Sequence, residues 1–403
     1  MEIFWFFAGF TILGLIGYGF QIIAVRSQIS SHNAAEGQAS SRSPSYLPPI
    51  SVLKPLKGID DNLFDNLESF CMQDYPEFEI IFSLQDHNDL AYKVARKIKE
   101  KYPGKDISII VERCDDGLNP KVNNLIPACK ASKYGYILVS DSNVLVDGDY
   151  LKEIVKHMQD PGVGLVSNMI RGVGGRTSGS IFENLHLNSF VLGSVCFLDR
   201  FLKMPCVVGK SMLMRKSDLE AIGGFKAVKD VLAEDYIIGR KMKEAGRRVV
   251  LSNYMINTVN KHWGMKNFLN RHTRWGKLRW KIGGIQYVSE LITNAVFMSF
   301  IPILLYKPSR ITIAFALFTS LLKIMGDLYL GRIMKADIKC PFYMLSPVKD
   351  IAIGCIWVIP LLSNTVVWRG NRYTIGKASL LSPCAENSRW RYRIADVIRA
   401  RFA

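Results

Sequence analysis

From Ile3 to Val25 the chain carries no charged side chain, and only glycines and the polar Thr11 and Gln21 interrupt the apolar run. A helix rises about 1.5 Å per residue, so this stretch can cross the about 30 Å hydrocarbon core of a bilayer. A cleavable signal peptide wants a basic start, a shorter apolar core and a small-residue cleavage site. Here the start carries Glu2 and no Lys or Arg, while Arg26 follows the run, so a retained anchor is expected. Three further apolar runs lie toward the C-terminus: Leu291 to Tyr306, Ile311 to Leu330 and Ile351 to Trp368. The second contains Lys323 and Asp327, expensive in lipid unless they pair or face protein. The third contains Pro360, which predicts a kink or a segment that only dips into the membrane.

Basic residues mark the cytoplasmic side of a membrane protein. Arg26, the segment Lys261 to Lys281 and the loop Arg332 to Lys349 can all be cytoplasmic together. The tail after Trp368, with eight basic and two acidic residues, is expected there too. A simple fourth crossing would leave that tail outside. Either Ile351 to Trp368 is re-entrant, or one of the other two runs does not cross. The net charge of +17 fits contact with anionic lipid headgroups, so membrane lipids rather than nucleic acid are the expected partners. Eight scattered cysteines without a C-x-x-C pair, and six histidines without ligand spacing, argue against a zinc site and suit a reducing compartment.

Between the apolar ends the texture changes. Ser27 to Pro49 is rich in Ser, Ala, Gly and Pro and reads as a flexible linker between an anchor at 1–26 and a domain at 50–260. That domain alternates buried-strand patterns (Ile50 to Leu53, Glu79 to Leu84, Ile107 to Val111, Tyr136 to Ser140) with helical ones (Leu63 to Met72, Ala91 to Lys101, Lys121 to Ala131). The alternation predicts βαβ units and an α/β fold with a mostly parallel sheet. Further on, Ile181 to Phe201 reads as an apolar helix, Met212 to Met214 as a strand, and Asp235 to about Ala245 as a helix. The remaining expected parts are an interfacial helix at 261–287, a membrane region at 288–370 and a basic tail at 371–403.

Parallel sheets bind ligands beyond the carboxyl ends of their strands. Asp86, Asp89 and Asp141 all fall at such ends. A strand-end carboxylate can hold a divalent ion that bridges a nucleotide diphosphate, or can serve as an ordinary turn or helix cap. Glu234-Asp235 at a helix start can be catalytic acids or first-turn acids favoured by the helix dipole. Arg271 and Arg274 share a helix face beside Trp275. Two guanidiniums suit a diphosphate leaving group, while the surrounding Lys266, Lys277, Arg279, Trp280 and Lys281 equally describe a basic helix on a membrane surface. Lys54, Lys57 and Lys121 are read as solvated lysines before phosphate ligands.

Taken in order, Val52-Leu-Lys-Pro-Leu-Lys-Gly58, Gln85-Asp-His-Asn-Asp89, Asn119-Pro-Lys-Val-Asn-Asn-Leu125, Asp141-Ser142, Leu213-Met-Arg-Lys216, Ala233-Glu-Asp-Tyr236 and Arg271-His-Thr-Arg-Trp275 resemble the ceramide glucosyltransferases. The likeness covers roughly Ile50 to Lys281. It implies a membrane-bound inverting enzyme with a GT-A-type α/β domain facing the cytoplasm. The resemblance implies that Asp89, with Asp86 beside it, helps bind the nucleotide. Asp141 would hold the diphosphate through a divalent cation, Mg2+ or Mn2+, Asp235 would be the catalytic base, and Arg271, Arg274 and Trp275 would form the final donor motif. A UDP-sugar donor and a lipid acceptor are the implied partners, glucose and ceramide the implied pair. Asp141-Ser-Asn143 lacks the second carboxylate of an Asp-x-Asp pair. A hopanoid or other lipid glycosyltransferase using UDP-N-acetylglucosamine shares much of the pattern. A processive polysaccharide synthase shares its last motif, and a scaffold binding acidic lipids would share the spans and the charge.

Overall fold

The computed structural model describes residues 2–39, 46–204, 206–305, 308–368 and 371–384. Eight strands form one sheet: β1 Ile50–Pro55, β2 Phe78–Leu84, β3 Ile107–Val111, β4 Tyr136–Ser140, β5 Val144–Leu145, β6 Val163–Val173, β7 Ser211–Arg215 and β8 Arg248–Val259. Their order is β3-β2-β1-β4-β7-β6-β8-β5. Pairings among β1 to β4 and between β6 and β8 are parallel, whereas β7 runs antiparallel to both of its neighbours and β5 to β8. The expected α/β architecture is present, with a sheet more mixed than the sequence pattern alone implies.

The central strands are apolar on both faces because helices cover both. Val52, Phe82 and Leu138 pack with Leu67, Phe70 and Tyr150 on one side. Leu53, Ile81 and Val139 pack with Leu125, Met212 and Ile238 on the other. Such two-sided burial gives continuous hydrophobic runs rather than alternation, which is why these strands are readable in the sequence.

Strand direction, more than composition, places the charged residues. β7 runs opposite to β4 with Ser140 against Ser211, so residues entering β7 meet residues leaving β4. The Gly209-Lys210 turn is thereby set beside Asp141.

Around this domain the apolar helices are arranged differently from expectation. The N-terminal helix continues through Ala39 instead of giving way to a linker at 27; residues 40–45 lie outside the described part. By length and composition, Glu2–Ser31, Ser178–Leu202, Arg310–Ile333 and Cys340–Leu362 are each able to cross a membrane. Ser178–Leu202, however, is 72% buried inside the protein, packed between sheet and N-terminal helix, and has a π-helical turn at Leu187–Val191. The run beginning at Leu291 yields only an 11-residue helix, Ala295–Leu305, bent by 67° from the preceding segment. At about 16 Å it is too short to span alone. The third C-terminal run breaks at Trp357 and ends in Ile359–Leu362.

Lys323 and Asp327 do pair, as their cost in lipid demands. Tyr18 donates to Asp327 at 2.5 Å, and the fully buried Lys349 meets Asp350 at 2.8 Å and the Ser189 hydroxyl at 3.2 Å. Three helices and the π turn are thus tied by buried charge.

Residues 371–383, expected to be tail, instead complete a second sheet, Thr365–Trp368, Asn371–Ile375 and Leu381–Pro383. Residues 385–403 lie outside the described part. This sheet clasps the chain just before Glu234. Leu232 N–H donates to Ser379 O at 2.9 Å, Leu381 N–H donates to Asp230 O at 2.7 Å, and Leu232 is buried among Val366, Tyr373, Ile375 and Leu381. The turn requires positive φ at two non-glycine residues, Ala378 (53°) and Ser379 (63°).

Replacing Lys349 by Met would leave Asp327 and Asp350 sharing the Lys323 ammonium in a buried setting. Breaking one partner from a buried charge network costs about 3–5 kcal/mol. A thermal melt of the purified variant should fall by several degrees; an unchanged melting temperature would show that the network contributes little.

Candidate active site

Four chain segments meet at the end of β4. Asp141 leaves the strand largely buried, and both of its oxygens are taken. Lys121 Nζ lies 2.8 Å from Oδ1 and Lys210 Nζ 2.9 Å from Oδ2. Burial alone would raise the Asp141 carboxyl, but these two ammonium groups overcome it and hold it well below the usual carboxylate range.

Lys121 is placed by a strong helix start. Asn119 caps the helix Pro120–Ala131, accepting from the N–H groups of Lys121 and Val122, and Pro120 occupies the first turn. The Asn119 amide also donates to Val231 O at 2.8 Å and Glu234 Oε2 at 3.2 Å, joining this cap to the next acidic pair. Besides Asp141, the Lys121 ammonium reaches Glu234 Oε1 at 2.9 Å and Gly209 O at 2.9 Å. Lys121 is therefore not the solvated lysine expected from the sequence. Lys54 is not solvated either: fully buried over the Phe70 ring, it donates to Ser140 Oγ and Asp141 O. Burial pushes its pKa down.

Asp235 lies in the first turn of the helix that follows, Glu234–Glu244. Its Oδ2 accepts from Gly209 N–H at 2.8 Å and its Oδ1 from Tyr236 N–H at 2.8 Å. Burial, then the neighbouring Glu234, push the carboxyl up to about 6, against the pull of Lys121 and the two amides. A Cβ on Gly209 would lie 2.6 Å from Asp235 Oδ2, so only glycine fits.

The other expected residues divide. Asp89 is a cap: it accepts from Ala91 N–H at 2.9 Å and from Gly58 N–H at 2.8 Å, pinning the loop after β1 to the helix Leu90–Lys101. Asp86 is exposed and accepts from Asn88 N–H. These bonds tie Asp86 to its own loop and Asp89 to its helix start and the loop after β1. Arg271, Arg274 and Trp275 lie on the helix Met265–Gly283. Arg271 sits between the rings of Trp263 and Trp275, its Nη1 3.2 Å from the buried carboxylate of Glu183. Glu183 also accepts from His272 Nε2 at 2.8 Å. Gly209, Lys210, Asn119, Glu183 and Trp263 join the site without being expected from the sequence. Asn119-Pro120 carries a readable cap signal, whereas nothing marks Lys210 among its fellow lysines.

A divalent cation at Asp141 would need about six oxygen ligands. Among the described residues no three of His, Cys, Asp and Glu group closely enough to hold a metal ion. Asp141 offers one carboxylate already shared by two cations, and the Asn143 oxygen accepts from Lys210 at 2.7 Å. This donor set, as arranged, does not fit a metal.

The profile of glycosyl transferase family 21 matches residues 10–381. The chain belongs to that family. It is 25% identical over 390 residues to "Ceramide glucosyltransferase 3" of Caenorhabditis elegans, covering 93% of this chain and 83% of that protein. To "Ceramide glucosyltransferase 1" of the same organism it is 27% identical over 344 residues, covering 82% and 72%. A mannosyltransferase from Pyrobaculum calidifontis, solved with GDP-Man and Mn2+, aligns over 85% of this chain and 99% of its own at TM-score 0.45 and 15% identity. The protein is thus a glycosyltransferase of the ceramide glucosyltransferase family, with several helices suited to a membrane.

In this family 21 protein, Gly209→Ala should displace the Asp235 carboxylate without unfolding the domain. A misplacement of about 1 Å at a reacting group costs on the order of a hundredfold in rate. Turnover measured beside a melting curve tests this; wild-type kcat in the alanine variant would mean that Asp235 tolerates the shift.

Proposed function

We propose that the protein transfers glucose from UDP-glucose to the primary hydroxyl of ceramide, with inversion, at the cytoplasmic face of a membrane. Family membership supplies glycosyl transfer, and the names of the similar ceramide glucosyltransferases support the glucose and ceramide pair. The basic segments support the cytoplasmic side, and the arrangement around Asp235 supports a base-assisted single displacement. The Asp235 carboxylate is positioned by two backbone amides and sits beside the ion pairs of Lys121 with Asp141 and Glu234. It lies at the carboxyl edge of the sheet, where nucleotide ligands bind in open α/β folds. Burial makes it a stronger base than a solvated aspartate.

In this reading Asp235 accepts the proton of the lipid hydroxyl as that oxygen attacks the anomeric carbon. The bond to the UDP oxygen breaks on the opposite face, so one in-line displacement inverts the centre. Arg271 and Arg274 offer forked donors to the departing diphosphate. Glu183 and the rings of Trp263 and Trp275 hold Arg271 in place, and Asp89 borders the nucleotide side through the loop after β1, with Asp86 exposed beside it. No step is routed through a divalent ion. The apolar belt, Phe6, Ile16, Phe20, Leu317, Leu321 and Met325 among its exposed residues, would keep the lipid acceptor at the right depth.

Asp235→Asn keeps the shape but cannot take a proton. Transfer should fall by about 10²–10⁴-fold with UDP-glucose affinity nearly unchanged. Radiolabelled transfer and a separate binding titration check this; retention of more than about a tenth of kcat would move the base to Glu234.

The same assignment fixes a pH limb. Asp235 acts when ionised, so kcat/KM should decline as pH falls through about 6 and hold above it. A profile whose acid limb lies near pH 4 would show a base with an ordinary carboxylate pKa. Offering ceramide, diacylglycerol and a hopanoid polyol with several UDP-sugars identifies the pair, and a preference for another acceptor would overturn the ceramide reading.

A further inference from the structure

Three lysines converge on the end of β4, and their hydrogen bonds distinguish them. An ammonium has three N–H donors. Lys121 gives its three to Asp141, Glu234 and the Gly209 carbonyl. Lys54 is sealed beneath the strand, over Phe70, with Ser140 and Asp141 O as acceptors. Among the described residues Lys210 makes two such bonds, to Asp141 Oδ2 at 2.9 Å and Asn143 Oδ1 at 2.7 Å, and its side chain keeps some exposure. It therefore lies between the first and third side chains of Asp141-Ser142-Asn143, the place an ion bridging those two would occupy.

We propose that Lys210, held between Asp141 and Asn143, is the cation that receives the donor's diphosphate, so that nucleotide binding needs no divalent ion. The inference rests on the nucleotide-sugar reading of the site. A divalent ion entering here would have one carboxylate to bind and two ammonium groups to repel it. A diphosphate meets the opposite situation, because its oxygens accept the remaining Lys210 N–H and the charges attract. Asn143 matters for the same reason. A carboxylate at that position would over-neutralise Lys210, whereas a neutral amide orients the ammonium and leaves its charge for the ligand. Burial, together with Arg271 and Lys121, pushes the Lys210 pKa down while Asp141 opposes this, and an arriving diphosphate would reinforce the charged form. Asp141 in this arrangement positions Lys210 rather than a metal.

Titration of UDP into the purified full-length protein, by calorimetry in detergent or nanodiscs, tests the assignment. With excess EDTA the wild type should bind UDP within about threefold of its affinity in Mg2+ or Mn2+. Lys210→Met should weaken UDP binding in EDTA by about tenfold or more, the usual scale for losing a charged hydrogen bond, and Lys210→Arg should recover most of it. Binding by the wild type only when metal is added would overturn the proposal. So would wild-type affinity in a Lys210→Met protein with an unaltered melting curve. Should Lys210→Met fail to fold, the EDTA comparison on the wild type decides alone. UDP binding under neither condition would remove the nucleotide-sugar reading along with it, a result distinct from a metal requirement.

Discussion

The ammonium of Lys121 is the point on which the site is hung. It joins a strand end (Asp141), a helix start (Glu234) and a turn (Gly209) that lie far apart in sequence. Each of these groups alone would be costly to bury. Together they satisfy one another, and the Lys210 ammonium on Asp141 balances the remaining negative charge. Asp235 sits one residue beyond Glu234 and accepts from the amide of Gly209, whose carbonyl accepts from Lys121. The geometry of the candidate base is therefore a by-product of an ion network formed by its neighbours.

That network exists because of a change of strand direction. Were β7 parallel to β4, the Gly209-Lys210 turn would lie at the opposite edge of the sheet. The antiparallel insertion brings the entry of one strand against the exit of another, and the side chains flanking the two ends are of opposite charge. Topology and electrostatics are coupled here: the sheet order decides which charges meet, and the charges then hold the strand ends together.

Much of this architecture is legible in the amino-acid sequence. β1 to β4 and their helices announce themselves because strands buried on both faces are written as unbroken apolar runs, with Asn119-Pro120 marking a helix start. Asp141 and Asp235 are legible as strand-end and helix-start carboxylates, though what surrounds them is not. Lys210 carries no local pattern, and only the antiparallel pairing gives it a partner. β8 escapes because Ser252, Asn253 and Asn257 interrupt its apolar rhythm. The C-terminal sheet hides within a stretch whose basic residues read as tail. A linker from residue 27 is not what forms, because Ser, Asn and Gly in Ser27 to Ala39 weaken a helix without preventing it, and the alanines among them favour one. Asp89 also serves as a cap, since an aspartate before a helix satisfies orphan amides whether or not a ligand is near.

The clasp between residues 379–381 and the segment before Glu234 bears on the order in which the protein is made. The α/β sheet is complete in sequence by Val259, yet the segment carrying Glu234 and Asp235 is fastened by residues more than a hundred positions later. Between the two lie the helices Arg310–Ile333 and Cys340–Leu362. During synthesis, both of these apolar helices leave the ribosome before the fastening strand does. The Glu234-Asp235 segment is thus clasped only after both apolar helices have been made, and a chain cut short before Ser379 would leave that acidic loop unfastened.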